Sequence, residues 1–438
     1  MPRPSESIQL EYAVSLSRSW EDWFDNSIDT LQPPGAMREA IHASQLIDER
    51  PGQIWPGFML PDSLPIIGNS YGDWLCVRAN EHNEFGELIY WYHGGGDWVP
   101  VGTELSEALL HDAVDHFRPI RKQALRGATE LEKTEDQALI SRLSNHDFLN
   151  WLDTFLPDNG SGVSSAILKR VTAALTEKSY QSALECLNRI GWAFEASTCD
   201  LIEHSLQTPL MEISNAEFAE KHGYSWYPEY VAWMFDLQTI PADDTAAISN
   251  KIDFPWPQQD WKTAAQAATA IIEKRNDLGW AFTIKGWELE RAGKLDEAAK
   301  VYQAGRFASS FADQAVRLNC HSLSERMGKF CIERLALLKD KERVRIDEDA
   351  YLQLFFGESE QSTLAQLHKF WWDQACSFKA EHNYARAYDC YMRSGWDMGV
   401  SRLSDYDNIL NALVETAQLA GWHARAAVAK RHLDCLRR

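Results

Sequence analysis

The sequence predicts an α+β domain at the N-terminus, built on an antiparallel or mixed sheet with helices, followed by an all-α helical-repeat domain. Three observations carry this. Residues 52–105 hold four Pro and nine Gly between the short apolar or aromatic runs "PIIGN", "DWLCVRA", "ELIYWYH" and "DWVPVG", which is the pattern of an antiparallel meander. From about Leu105 to the end the apolar spacing is helical almost throughout. Two segments in that second part also share one helix–turn–helix spacing.

In chain order, "SIQLEYAVSLSRSWEDWFDNSIDTL" and "AMREAIHASQLIDE" read as helical, separated by a break at Pro33, Pro34 and Gly35. In the meander, "NSYGDWLCV" and "HGGGDWVPV" echo each other: a turn ending in Gly, then Asp, Trp and an apolar residue entering a strand. Gly72 and Gly96 are expected to take backbone angles closed to other residues, and Asp73 and Asp97 to bond back to turn amides. Strand alternation sends Trp74, Cys76 and Arg78 to one face and Leu75 and Val77 to the other. The helical part is interrupted at residues 156–165, 224–230 and 253–261. The expected domains are 1–120 and 121–438.

The repeat is legible in side-chain size. Phe282, Gly286, Leu289, Leu295, Ala298, Tyr302 and Gly305 stand at the same offsets as Trp371, Ala375, Phe378, Tyr384, Ala387, Tyr391 and Ser394. The first three of each set share one helix face, and the last four share a face of a second helix after the turns "RAGKLD" and "KAEHNY". This resembles the tetratricopeptide repeat, and it implies an irregular α-solenoid, because one such pair cannot bury its apolar face alone. A third unit, "KSYQSALECLNRIG", supplies Tyr180, Ala183 and Leu187, and a fourth supplies only Gly421 and Ala426. First-helix positions on the concave side include Trp280, Trp287, Lys369, Trp372 and Lys379.

Composition narrows the function classes. The chain has 438 residues, 45% hydrophobic and 24% charged, enough for two or three domains. Its net charge of −21 argues against a nucleic-acid ligand and favours a basic partner. No run approaches about 18 consecutive apolar residues, and the start lacks a signal-peptide pattern, so no membrane is expected and the location is read as cytoplasmic. The eight cysteines are scattered without a C-x-x-C pair, which reads as free thiols.

Two stretches suggest a hydrolase. "GNSYG" (Gly68 to Gly72) fits G-x-S-x-G, and His93 to Gly96 spell the His-Gly-Gly-Gly run that lines oxyanion holes in lipases. In that class, however, the glycine run precedes the nucleophile, and the serine is followed by a helix. Here the order is reversed, and Ser70 precedes a strand-like run. "HDAVDH" places His111 and Asp115 one turn apart on a helix, a spacing that a solvated face explains as well as a metal does. No phosphate-binding glycine motif is present. No catalytic, cofactor-binding or metal-ligating residue is assigned.

The run at residues 59–114, "MLPDSLPIIGNSYGDWLCVRANEHNEFGELIYWYHGGGDWVPVGTELSEALLHDAV", resembles the second half of the Smi/Knr domain of the SUKH superfamily. Gly68, Gly72, Asp73, Trp74, His93 and Leu109 carry the likeness. Upstream, "LQPPGAMREAI" departs from the family pattern. The resemblance implies a non-enzymatic binding role: bacterial members are commonly immunity proteins that neutralise toxins, and fungal members are signalling scaffolds. The expected function is toxin immunity by occlusion of a basic toxin domain, without a cofactor. A scaffold joining two protein partners is the alternative, and an esterase-like hydrolase using Ser70 or His93 a remote one. Partner-binding candidates are Asp73, Trp74, Trp91, His93, Asp97, Trp98, Trp280, Trp287 and Trp372, with packing equally open to the tryptophans. No oligomeric state is assigned.

Overall fold

The structure is a computed structural model that describes residues 2–115, 146–155, 261–312, 329–339, 349–356 and 360–437. The third repeat unit expected around Tyr180, the three expected helix interruptions apart from Trp261, and Cys186, Cys199 and Cys320 lie outside them. Two compact units emerge, one of Met1–Ser197 with His368–Arg438 and one of Thr198–Leu367.

The first unit opens with α1 (Pro4–Tyr12) and α2 (Arg18–Asp22), the latter running on as a π turn over Trp23–Ser27. Their apolar faces build a small aromatic core. Trp20 stacks on Phe24 and meets Phe85 edge-on, and the Tyr12 hydroxyl donates to the Leu46 carbonyl at 2.6 Å. The helix expected over "AMREAIHASQLIDE" is replaced by a two-residue strand β1 (Glu39–Ala40) and a four-residue helix α3 (Ala43–Leu46). The cause is tertiary. The Arg38 and Ile41 N–H groups donate to the Gly68 and Ile66 carbonyls of the neighbouring strand, so edge pairing outweighs local helix propensity.

That neighbour is β2 (Ser63–Gly68), followed by β3 (Trp74–Ala79), β4 (Phe85–Trp91) and β5 (Trp98–Gly102). The sheet order is β1-β2-β3-β4-β5, antiparallel throughout. Partners in such a ladder project to one face. Leu75 and Tyr90 share the face covered by α4 (Leu105–Asp115), where the Tyr90 hydroxyl donates to Asp112 at 2.5 Å. Asp112 also accepts the Ala36 and Met37 N–H groups at 3.2 and 3.1 Å, pinning the chain that leaves the Pro33-Pro34-Gly35 break. A further helix, α5 (His146–Phe155), meets α2 through the Trp151 indole N–H donating to Asp22 at 3.0 Å.

Among its described residues the second unit holds α6 (Trp261–Ile272), α7 (Gly279–Arg291), α8 (Leu295–Gly305), α9 (Phe330–Lys339) and the short α10 (Ala350–Gln353). Here α7 and α8 form the expected hairpin. Gly286 lies so close to the Tyr302 ring that an added Cβ would stand 2.3 Å from it, which explains a glycine in mid-helix despite its conformational cost.

The remaining helices are α11 (Glu360–Ala380), α12 (Tyr384–Trp396), α13 (Leu403–Leu419) and α14 (His423–Leu436). All but the first residues of α11 belong to the first unit. The hairpins α7–α8, α11–α12 and α13–α14 close identically. The Lys294, Asn383 and Trp422 N–H groups donate to the Leu289, Phe378 and Ala417 carbonyls, one residue after a left-handed Gly293, His382 or Gly421. The segment that offered only Gly421 and Ala426 in the sequence therefore forms a full hairpin. Its pattern was hidden because His423 and Lys430 occupy the offsets at which Tyr384 and Tyr391 stand in the preceding pair.

These last helices dock on the sheet, so the compact units do not follow the expected boundary at residue 120. The Arg425 Nε donates to the Ala79 carbonyl at 3.0 Å, Asn83 exchanges bonds with the Gly421 carbonyl and the Ala424 N–H, and the Trp396 indole N–H donates to the Met59 carbonyl at 3.0 Å. His432, fully buried, donates from Nε2 to the Ser63 carbonyl at 2.8 Å.

Two predictions follow from these buried polar groups. Asp112→Ala strands the Tyr90 hydroxyl and the Ala36 and Met37 amides and is expected to cost about 3 kcal/mol in urea unfolding; a loss under about 1 kcal/mol would show that the bonds are replaced by water. Burial pushes the His432 imidazole down from 6.5 to about 4, against the opposing Ser63 bond and Asp62 charge. The unfolded chain therefore takes up this proton first as pH falls. Stability is unaffected above about pH 6.5 and declines from there to about pH 4, by at most about 3 kcal/mol from this group. His432→Gln should flatten that decline, and parallel wild-type and variant curves would assign it elsewhere.

Candidate functional site

The β2–β3 and β4–β5 turns lie at the same end of the meander, and Asp73 joins them. Asn69 organises the first turn: its Oδ1 accepts the Tyr71 and Asp73 N–H groups at 2.9 and 3.0 Å, and its amide donates to Asp73 at 3.1 Å. The other Asp73 oxygen accepts the His93 N–H at 3.1 Å and contacts its Nδ1 at 2.9 Å. Between them Gly72 sits at φ 93° with the His93 ring against it, a conformation that an L side chain would strain. The His-Gly-Gly-Gly run is thus a turn between strands, and Ser70 is followed by β3 rather than by a helix.

Behind the turns, Trp74, Trp91 and Trp98 stand side by side across β3, β4 and β5. Trp91 and Trp98 are 1% and 4% exposed, so these two pack. The Arg78 guanidinium lies over the Trp98 ring at 5.6 Å. Trp74 is half-buried against Gly68, and Asp97 is buried with its carbonyl accepting the Tyr92 N–H.

A third loop meets these turns. The Trp91 indole N–H donates to the Phe58 carbonyl at 3.1 Å, that carbonyl also closes on Gly96, and Trp55 lies 6.3 Å from Trp91 between ring centres. The loop is held from behind by Tyr406 of α13, packed on Gly57, and by Trp396. What it presents to solvent is large and apolar. Trp55 is 48% exposed, Phe58 53%, and Tyr71 on the first turn 77%. Exposed aromatics gathered on linked loops mark interaction surfaces.

The structure places the sequence candidates Asp73, Trp74 and His93 at these turns, with Asp73 bonded to His93; Trp55, Phe58 and Tyr71 were not among the candidates. The missed signal was local: an aromatic inside "GNSYG" or "QIWPGFM" has no strand or helix to turn it inward. The other candidates stand on helices of the C-terminal half. Trp287 is buried in α7 under Arg334, Trp280 lies on α7 with its side chain outside the described residues, and Trp372 is half-buried on α11. The His111 side chain also lies outside them. Among the described residues, no three His, Cys, Asp or Glu side chains gather as a metal site, and no helix is long and apolar enough to cross a membrane. Cys76, Cys331, Cys376, Cys390 and Cys435 are free thiols.

Comparison with family models, with curated proteins and with solved structures finds no match.

If Asp73 holds the two turns together, Asp73→Ala should speed hydrogen exchange at the His93 amide by tenfold or more, with a global loss of about 1–2 kcal/mol. Unchanged exchange at that amide would mean that the turns are fixed independently.

Proposed function

We propose that this chain is a non-enzymatic protein-binding protein that captures a basic partner on the aromatic rim, most simply as an immunity protein that occludes a toxin. One observation carries the reading: Trp55, Phe58 and Tyr71 are exposed on two loops already fixed by hydrogen bonds. Such a surface pays little ordering entropy on binding, and large aromatics are the usual anchors of interfaces. The net charge of −21 supports a basic partner, which long-range attraction would steer toward the protein. The Smi/Knr likeness of residues 59–114 points the same way, since its carriers Gly72, Asp73 and His93 build the rim's base.

A second reading is a scaffold with one partner on the rim and another on tetratricopeptide-like hairpins. It is favoured by the separate compact unit Thr198–Leu367. In either reading the protein acts in the cytoplasm and needs no cofactor.

The test is capture from native lysate by the wild type and by Phe58→Ala/Tyr71→Ala, at low and high salt. Both side chains are exposed, so the double variant should fold normally. The expected result is one stoichiometric basic protein, retained by the wild type, weakened by salt and reduced at least tenfold by the variant. Equal capture by both proteins would remove the rim from the account. Several signalling proteins in place of one basic partner would favour the scaffold.

A further inference from the structure

A second surface lies in the same unit, between α11 and α13. His368, Lys369, Trp372, Asp373 and Asn408 line a cavity of about 290 Å³ that opens to solvent. Its back wall is fixed. The Trp372 ring packs edge-on against Tyr391 at 4.9 Å and lies 5.8 Å from the His368 ring. The His368 Nδ1 donates to the Ser394 carbonyl at 3.2 Å, so in the neutral ring Nε2 is left as the acceptor. The front is polar and loosely held. Among the described residues the Asn408 side chain makes no hydrogen bond and Asp373 pairs only with Lys369 one turn away, both well exposed. Such an exposed pair is weak and is readily exchanged.

The chain itself shows what fits beside a tryptophan here. Arginine guanidinium groups lie over Trp98, Trp287, Trp371 and Trp422 at 5.6, 4.7, 5.0 and 4.6 Å. Trp372, which opens on the cavity, carries no cation over its ring among the described residues. It stands beside a carboxylate, an amide and an imidazole acceptor.

We propose that this cavity receives an arginine side chain presented by a basic protein partner. The guanidinium plane stacks on Trp372 while its N–H groups reach Asp373 and Asn408, displacing Lys369 into solvent. A planar fork suits this arrangement better than the compact ammonium of lysine, because it stacks and hydrogen-bonds at once. The choice of a cationic ligand follows from the negative charge of the chain and from Asp405, which lies one turn before Asn408 on α13 and makes no ion pair among the described residues. The inference deepens the proposed function by naming a side chain that the partner must offer, and it rests on that reading only for the source of the arginine.

The test uses the full chain and a free probe, so it requires no partner. N-acetylarginine amide and its uncharged isostere N-acetylcitrulline amide are compared by saturation-transfer difference NMR. The arginine probe should show transfer, strongest at the δ-methylene, and the citrulline probe should stay at background. Trp372→Leu and Asp373→Asn should each reduce the arginine signal several-fold, while Tyr71→Ala leaves it unchanged. Asp373 is exposed, so its variant tests the site without threatening the fold. Equal transfer from citrulline, or signals that survive both substitutions, would overturn the proposal. Loss of partner capture through the rim would leave this result standing, so the two readings fail separately.

Discussion

Arg78 sits where the strands and the preceding loop meet, and its guanidinium is divided between them. Nε and Nη2 grip the buried Asp62 carboxylate at 3.1 and 2.8 Å, Nη1 reaches Glu87 on β4 at 2.9 Å, and the plane lies over Trp98 on β5. Burial opposes the charge on Asp62, yet Arg78, helped by Arg425 of α14, holds its carboxyl below the usual range. The Asp62 carbonyl also accepts the Ala79 N–H, and the Ala79 carbonyl accepts from Arg425. One two-residue step of β3 thus ties the sheet to α14. Removing either member of such a pair strands a buried charge, at a typical cost of about 3–5 kcal/mol.

The consequences reach the rim through covalent neighbours. Asp62 and Ser63 end the loop that carries Trp55 and Phe58, and His432, Trp396 and Tyr406 hold that loop from the helical side. Its outer side rests on Trp91 and Gly96. Aromatic side chains that stay exposed on a loop fixed from two sides need a reason other than folding. A rigid apolar surface on a strongly acidic chain is suited to a partner that supplies the opposite charge.

Much of this was legible from local chemistry. The strands announced themselves through "IIGN", "WLCV" and "LIYW" between glycine turns, and the hairpin α7–α8 through the matched sizes of Gly286 and Tyr302. Asp73 and His93 were readable because an Asx turn is written in adjacent residues. What was hidden depends on partners far away in sequence. Residues 36–49 carry helical spacing, but the free edge of β2 claims Arg38 and Ile41. The return of α12–α14 to the sheet rests on single contacts such as His432 with Ser63, which leave no periodic trace. Burial of Trp91 and Trp98 was undecidable for the same reason, since the covering loop and Arg78 are set by tertiary packing.

We propose that the end of the sheet bearing the two turns and the loop of residues 51–60 is the docking face. Hydrogen–deuterium exchange of the protein with and without its captured partner measures this directly. New protection is expected at residues 55–58, 69–73 and 92–97, with little change in the amides of β3. Protection confined to residues 261–356, with the rim unchanged, would contradict it.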